Sequence, residues 1–294
     1  MTRAPRHKYG KRPAQPARPH LTFSPVLAEL PTPPGEVDFQ SNTIQWPMYG
    51  NDTVGDCTCA AVGHVINQLT FYAVGNEYEP TTAHVLAMYS AITGYNPKDP
   101  DTDTGAYCQD VLAYWRKTGL EGHKIVAYAA LDVSNLTEVH QAIAAFGSVY
   151  IGFNVTDAAE NAFDAGKVWD VKKGSQDLGG HCVPVGAYSS VKKTLSGVTW
   201  AEEFTMTEAY WKQNVDEAWV ILDQDGLNKA LAYFAGSATF YDLGQIFAAL
   251  TGQTNPVPQP VPVPPVPTPT PPAVVDDATF WANAKAWAAA KGFN

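Results

Sequence analysis

The spacing of apolar residues changes near residue 124, and this change constrains the fold more than any other feature. Before it, apolar side chains recur every three or four residues, which predicts helices over 57–74, 81–93 and 105–118. After it, short runs rich in β-branched and aromatic residues predict strands over 125–130, 149–155, 183–188, 195–200 and 218–222. A further helix is predicted over 135–146. Helices followed by strands predict an α+β fold with two segregated halves.

Proline-rich segments at both ends limit the predicted globular body to residues 36–250. Residues 1–35 are rich in Pro, Arg and Lys and have little to bury, so they are predicted to form an extended basic arm. A polyproline spacer is predicted over 251–275, because 256–272 holds ten prolines in 17 positions. Residues 276–294 are predicted to form a short helix whose aromatic face docks on the body or on a partner.

Charge and hydropathy exclude several classes of protein. The net charge is −10, and residues 1–20 carry six Lys or Arg and no acid, so the remainder of the chain is more acidic still. An acidic body argues against a general nucleic-acid binder. No apolar run approaches the roughly 20 residues that span a bilayer, and no apolar stretch follows the basic N-terminus as in a signal peptide. The sequence therefore predicts neither a nucleic-acid nor a membrane partner.

The four cysteines are too few for a disulfide scaffold in a chain of 294 residues, and no CxxC pair is present. Neither a metal site nor a cofactor is predicted. Cys59 and Cys182 are expected to be packing residues, and Cys108 to lie in a helix core. His64 is expected to be a buried, hydrogen-bonded histidine. The alternating acids Asp99, Asp101 and Asp103 match the opening of a calcium loop, but Thr104 replaces its glycine, so a solvated loop is predicted.

Three segments carry candidate chemistry. A loop rich in Gly and Asp leads to Cys57 at the start of the predicted helix 57–74, where the helix dipole favours a thiolate. His181 follows two glycines at the head of the predicted strand 183–188. The third segment, 197–200, ends the next predicted strand. A thiol and a histidine in such contexts are candidates for a nucleophile and its base.

In this order the segments resemble papain-like cysteine peptidases. Asn51 lies six residues before Cys57, where that family has Gln, and the string 181–188 is similar to the family's histidine strand. Cys57 and His181 are separated by 124 residues, near the roughly 130 typical of such enzymes. The resemblance covers about residues 45–222. The motifs at 46–52, 55–58 and 179–181 also resemble uncharacterised proteins of actinobacteria and their phages.

The resemblance implies a papain-like fold, in which a helical N-terminal half with Cys57 packs on a β-rich C-terminal half with His181. It implies that the Cys57 thiolate attacks a carbonyl carbon, while His181 carries the proton. Asn51 would donate to the oxyanion. Val198 occupies the position of the family's orienting Asn. The adjacent Thr199 is a candidate to orient the histidine; the alternatives are another acid or amide, a Cys–His dyad without a third member, or an inactive site.

The predicted function is therefore a phage-associated cysteine peptidase or amidase that cleaves peptide or peptidoglycan-type amide bonds through a Cys–His pair. The alternative is a catalytically inactive papain-like structural protein, a virion decoration or tail component. In that case residues 1–35 and 276–294 would attach it to phage structural proteins. The predicted location is a phage virion or the bacterial cytoplasm.

Overall fold

The computed structural model describes residues 6–18, 20–24, 32–41, 45–74 and 77–223, so the predicted spacer and C-terminal helix lie outside the described residues. Its helices are α1 (Cys57–Val74), α2 (Thr82–Thr93), α3 (Cys108–Lys117), α4 (Leu136–Phe146), α5 (Asp157–Asp164) and α6 (Glu208–Asn214). Its strands are β1 (Glu36–Asp38), β2 (Ile125–Ala130), β3 (Val149–Thr156), β4 (Asp177–Ser189), β5 (Thr194–Thr199), β6 (Glu202–Thr207) and β7 (Val215–Asp223).

The helices predicted within the described residues are confirmed, and capping residues explain several of their ends. The Thr81 side chain accepts a hydrogen bond from the His84 N–H at the start of α2, and Gly94 ends that helix in the left-handed region at φ 80°. Asn135 caps α4 in the same manner. Helix α3 begins three residues later than predicted, because Gly105 adopts φ +75° and the backbone after it is not helical.

The strands form one antiparallel sheet in the order β2-β7-β3-β4-β5-β6, and β1 pairs with β4. Strand β4 begins earlier than predicted, so His181 lies within the strand rather than at its head, opposite Phe153 of β3. Strand β6 and helices α5 and α6 were not predicted from the sequence. The side chains of Thr156 and Thr207 cap these two helices.

Two apolar clusters divide the described residues into a helical and a sheet-rich half. One cluster joins α1, α2 and α3 to side chains of the sheet, and the other joins the sheet to α4, α5 and α6. Helix α1 packs on β4, which brings the N-terminus of the long helix beside the strand that carries His181. The α+β fold with a helical N-terminal half is thus confirmed. Among the described helices, none has the length and apolarity needed to cross a membrane.

The N-terminal arm differs from the expectation of a free flank. Residues 6–18 and 20–24 lack α-helix, as predicted, but they pack on the body: Lys11 pairs with Ala106, Thr22 pairs with Ala130, and Phe23 is fully buried. Composition suggested little to bury in this segment. Some of its apolar residues and backbone donors are nevertheless used, because Phe23 is buried and the N–H groups of Lys11, Arg12 and Phe23 donate to carbonyls of the body.

Candidate active site

Cys57 is presented by a tightly bonded loop. Tyr49 and Gly50 turn the chain with positive φ angles of 56° and 96°, and the Val54 N–H then donates to Gly50 O at 3.0 Å. The Gly55 N–H donates to the Asp103 carboxylate at 2.9 Å. Helix α1 follows at once, so Cys57 lies in its first turn, where unpaired backbone N–H groups favour negative charge.

His181 is fully buried, and its ring is fixed from several sides. Its Nε2 lies 2.5 Å from Thr199 Oγ1, so the structure brings together the predicted base and its predicted orienting residue. The Trp200 ring stacks on the imidazole with centroids 4.5 Å apart, and Phe153 meets it edge-on. Among the described residues, His181 Nδ1 has no hydrogen-bond partner. A Thr199 hydroxyl that accepts the Nε2 proton leaves Nδ1 with the free lone pair.

A strained two-residue turn places Trp200 on this ring. Trp200 and Ala201 both have positive φ angles, 46° and 64°, between the antiparallel strands β5 and β6. Turns of this type ordinarily use Asn and Gly, and positive φ at other residues costs on the order of 1–3 kcal/mol. The bulky indole is held in this conformation at the point where it covers His181. The sequence placed Trp200 at the end of the predicted strand 195–200 but could not reveal the turn.

Burial keeps both members of the candidate pair neutral. It raises the pKa of Cys57 to about 12, although the backbone N–H groups of Cys182 and Gly10 point at the thiol and oppose the rise. Burial, followed by the charges of His7 and His64, lowers the pKa of His181 to about 3. Cys57 lies beside Cys182, the residue that follows His181. Among the described residues, no hydrogen bond joins the Cys57 thiol to His181 Nδ1.

Asn51, the predicted oxyanion-hole donor, lies in the loop before Cys57. It is buried, and its Nδ2 donates to Val54 O at 3.1 Å. Burial also raises the pKa of the neighbouring Asp56 carboxyl well above its ordinary value, which the Asn51 amide partly offsets. In this state the Asn51 amide stabilises the loop.

The arm crosses the cleft between the two halves directly over Cys57. Lys11 N–H donates to Gly180 O of the sheet half at 3.0 Å. On the other side, Arg12 N–H donates to Ala106 O at 2.9 Å, and Ala106 N–H donates to Gly10 O at 2.8 Å. An extended stretch of main chain is therefore bonded to both walls of the cleft.

Glycines allow this close approach of main chain to main chain. A Cβ on Gly10 would lie 1.6 Å from Gly55 O, and one on Gly105 would lie 2.3 Å from Gly10 O. A Cβ on Gly180 would lie 2.2 Å from Lys11 O. All of these distances are shorter than any non-bonded contact. The cleft is thus shaped for a peptide backbone, with glycine on both sides of the contact.

The first residues of the arm close the cleft around His181. Tyr9 meets the imidazole edge-on with centroids 5.8 Å apart, and the His7 ring stacks on Trp200 at 4.2 Å. Glu160 holds this part of the arm, because its carboxylate accepts from Tyr9 Oη at 3.0 Å and from Arg6 N at 2.7 Å. These contacts exclude water from His181, which explains the lowered pKa of its ring.

The other residues considered in the sequence analysis are buried or hydrogen-bonded within the fold. His64 is buried and its Nε2 lies 2.7 Å from Pro47 O, while burial lowers its pKa to about 4. Three further cysteines are free thiols in the interior: Cys59, Cys108 and Cys182. Asp103 holds Gly55 N and Tyr89 Oη rather than standing free in solvent. Within the described part of the chain, no group of three or more His, Cys, Asp or Glu could hold a metal ion.

Solved structures of cysteine proteases share this fold. Xylellain, a cysteine protease from Xylella fastidiosa, superposes with a TM-score of 0.59 at 18% identity, covering 76% of this chain and 98% of xylellain. The proform of Amb a 11, a ragweed pollen cysteine protease, gives 0.51 at 12% identity, covering 71% of each chain. The stem bromelain precursor gives 0.50 at 11% identity, covering 74% and 78%. No protein-family model and no curated protein matches the sequence. The chain therefore has the papain-like fold that its motifs implied.

Proposed function

We propose that this protein is a cysteine peptidase that cleaves peptide-type amide bonds with Cys57 as nucleophile and His181 as base. The observation that carries the proposal is the position of the arm: an extended peptide lies in a glycine-lined groove with the Gly10 N–H against the Cys57 thiol. A groove that holds one extended main chain over a buried thiol and imidazole suits a peptide substrate. The papain-like fold agrees with this reading.

The chemistry follows from the environment of each group. When the arm leaves, water reaches the cleft and the N-terminus of α1 favours the Cys57 thiolate, while His181 Nδ1 takes the proton. The thiolate adds to the carbonyl carbon of the substrate, and the proton passes from His181 to the leaving amine. Water then hydrolyses the thioester with His181 as base.

Two groups would support these steps. Thr199 would hold the His181 ring through Nε2 and so keep Nδ1 towards the substrate. Asn51 would donate to the oxyanion only after its amide turns away from Val54 O, because it is engaged there in the closed cleft. A peptide or a peptidoglycan stem would both supply a suitable amide bond.

The arm occupies the groove, so the test compares closed and open forms of the full chain. Gly10→Ala introduces a methyl group only 1.6 Å from Gly55 O. This clash should expel the arm from the groove. We expect the Gly10→Ala protein to hydrolyse casein or peptidoglycan stem peptides faster than the unmodified chain.

Adding Cys57→Ser or His181→Asn should abolish this hydrolysis. Cys59→Ser is the matched control, because Cys59 is an equally buried cysteine of the same helix. The proposal fails if neither the peptide nor the peptidoglycan substrate is cleaved while alkylation of Cys57 is unaffected by His181→Asn. That result would favour the inactive structural protein.

We further propose the phage association, which rests on the motifs alone. Residues 6–18 already contact the body. The segment tested first for attachment to phage structural proteins is therefore 276–294. Deletion of 256–294 should abolish co-sedimentation with phage particles while circular dichroism of the body is unchanged. Undiminished co-sedimentation would contradict attachment through this segment.

A further inference from the structure

We infer that an acidic pocket beside Cys57, now filled by Lys11, selects a cationic side chain of the substrate. The Lys11 pocket is formed by Asp216 and Glu217 at the start of β7 and by Gly152 of β3. This inference rests on the proposed peptidase function and adds to it a specificity: Lys or Arg in the peptide close to the bond that is cleaved.

The occupant of the pocket is a buried ammonium group. Lys11 Nζ lies 2.6 and 2.5 Å from the two Asp216 carboxylate oxygens and 3.3 Å from Glu217 Oε1, and its side chain is only 1% exposed. Burial lowers the pKa of Lys11, but the two carboxylates raise it by more, so the net shift is upward. The cation remains charged out of water because the pocket supplies two anions.

The pocket is built by the body rather than by the arm. Trp219 Nε1 donates to Glu217 Oε2 at 2.9 Å, which directs the other oxygen at Lys11. Gly152 leaves the space for the aliphatic stem, because a Cβ there would lie 2.2 Å from Lys11 Cε and 2.7 Å from Glu217 Cγ. Glu217 is itself only 9% exposed. A buried carboxylate left without a counter-ion is costly, so the emptied pocket favours another cation.

The position of the pocket makes it a specificity site. Lys11 N–H donates to Gly180 O, next to His181, and the preceding Gly10 packs on Gly55, two residues before Cys57. A peptide bound in the same groove would therefore place a side chain in the Lys11 pocket within about one residue of the reacting carbon, given the spacing of an extended chain. If the ion pair served only to anchor the arm, free peptides would show no preference for a cation.

Binding tests the pocket independently of catalysis. The full chain carrying Cys57→Ser and Gly10→Ala is unreactive with an open cleft. The probes are fluorescent peptides with the sequence of residues 6–13, one unchanged and one with Lys11→Met, and anisotropy measures their affinity. We expect the lysine peptide to bind at least tenfold more tightly. Asp216→Asn with Glu217→Gln should remove the difference, whereas Glu202→Gln, at an exposed acid outside the pocket, should keep it.

Hydrolysis provides the second readout. With Cys57 restored, kcat/KM for peptides with Lys or Arg beside the cleaved bond should exceed that for Leu by at least tenfold, and Asp216→Asn should reduce the ratio. Asp216 is about one-third exposed, so this variant should keep its thermal unfolding temperature. Equal affinity for the two probe peptides would overturn the pocket even in a chain that hydrolyses peptides. If the lysine peptide binds more tightly than the methionine peptide but no peptide is hydrolysed, the peptidase function is overturned and the pocket remains a charge-selective peptide-binding site.

Discussion

Gly10→Ala should convert Cys57 from a protected to a reactive thiol. The added methyl would lie 1.6 Å from Gly55 O and 2.2 Å from the Gly55 carbonyl carbon. The Gly55 main chain is held in place, because its N–H donates to Asp103. The arm must therefore move, which breaks the main-chain hydrogen bonds that residues 10–12 make with Ala106 and Gly180.

The size of the effect follows from those bonds. Three main-chain hydrogen bonds join this stretch to the cleft. Each contributes about 1 kcal/mol net, so their loss destabilises the closed form by about 3 kcal/mol. Because about 1.4 kcal/mol corresponds to a factor of ten, the open fraction should rise about 100-fold. Steric repulsion would add to this figure.

The assay is the rate at which iodoacetamide alkylates Cys57 near neutral pH, followed by mass spectrometry of the peptide that contains it. Gly35→Ala is the matched control, since a methyl there would have only an ordinary contact of 3.7 Å with Ser190 Oγ. We expect about 100-fold faster labelling in Gly10→Ala and no change in Gly35→Ala. Equal rates in Gly10→Ala and the unmodified chain would refute the view that the arm protects the thiol.

Three further perturbations test the site. Acidification to about pH 5 should lower the free energy of unfolding by about 2 kcal/mol for each of His181 and His64. Their pKa values are lowered in the folded protein, so the unfolded chain alone takes up these protons below about pH 6.5. In urea unfolding, His64→Gln should remove the contribution of His64, which is about half of the loss from these two histidines. Thr199→Val in the Gly10→Ala chain should lower kcat at least tenfold with little change in KM, and Thr199→Ser should restore most of it. Lys11→Met leaves Glu217 without its cation and should speed Cys57 labelling at least tenfold, an effect that Glu217→Gln should reduce.

Apolar spacing predicted the helices and the histidine strand because these elements bury continuous faces in the two cores. It missed α5 and α6, which are only eight and seven residues long and whose first turns are capped by the hydroxyls of Thr156 and Thr207. It also placed the start of α3 too early, since Gly105 takes a left-handed conformation to receive Gly10. Local spacing carries no information about such a partner.

For the candidate site, too, some features could be predicted from the sequence, while others depend on contacts between distant residues. Residue order and the family resemblance made Cys57, His181 and Thr199 candidates, and the structure brings the last two into contact. The closed cleft was not predictable, because it depends on pairings such as Lys11 with Asp216, 205 positions apart. Composition suggested an arm with little to bury. It could not show that Gly10 and Lys11 fit the cleft.

Part of the charge asymmetry of the sequence is compensated by ion pairs among the described residues. Basic residues of the arm meet acids of the body at three points: Arg6 at Glu160 and Asp164, Lys11 at Asp216 and Glu217, and Arg18 at Asp110. The outer two pairs are weak, since the side chains of Arg6 and Arg18 are more than one-third exposed and water and salt screen them. Lys11 alone is desolvated. The main-chain hydrogen bonds of Leu21 and Phe23 with Ala130 keep the arm attached on the C-terminal side of Lys11. Opening of the groove therefore requires the withdrawal of Lys11, the residue whose charge a substrate would reproduce in the pocket.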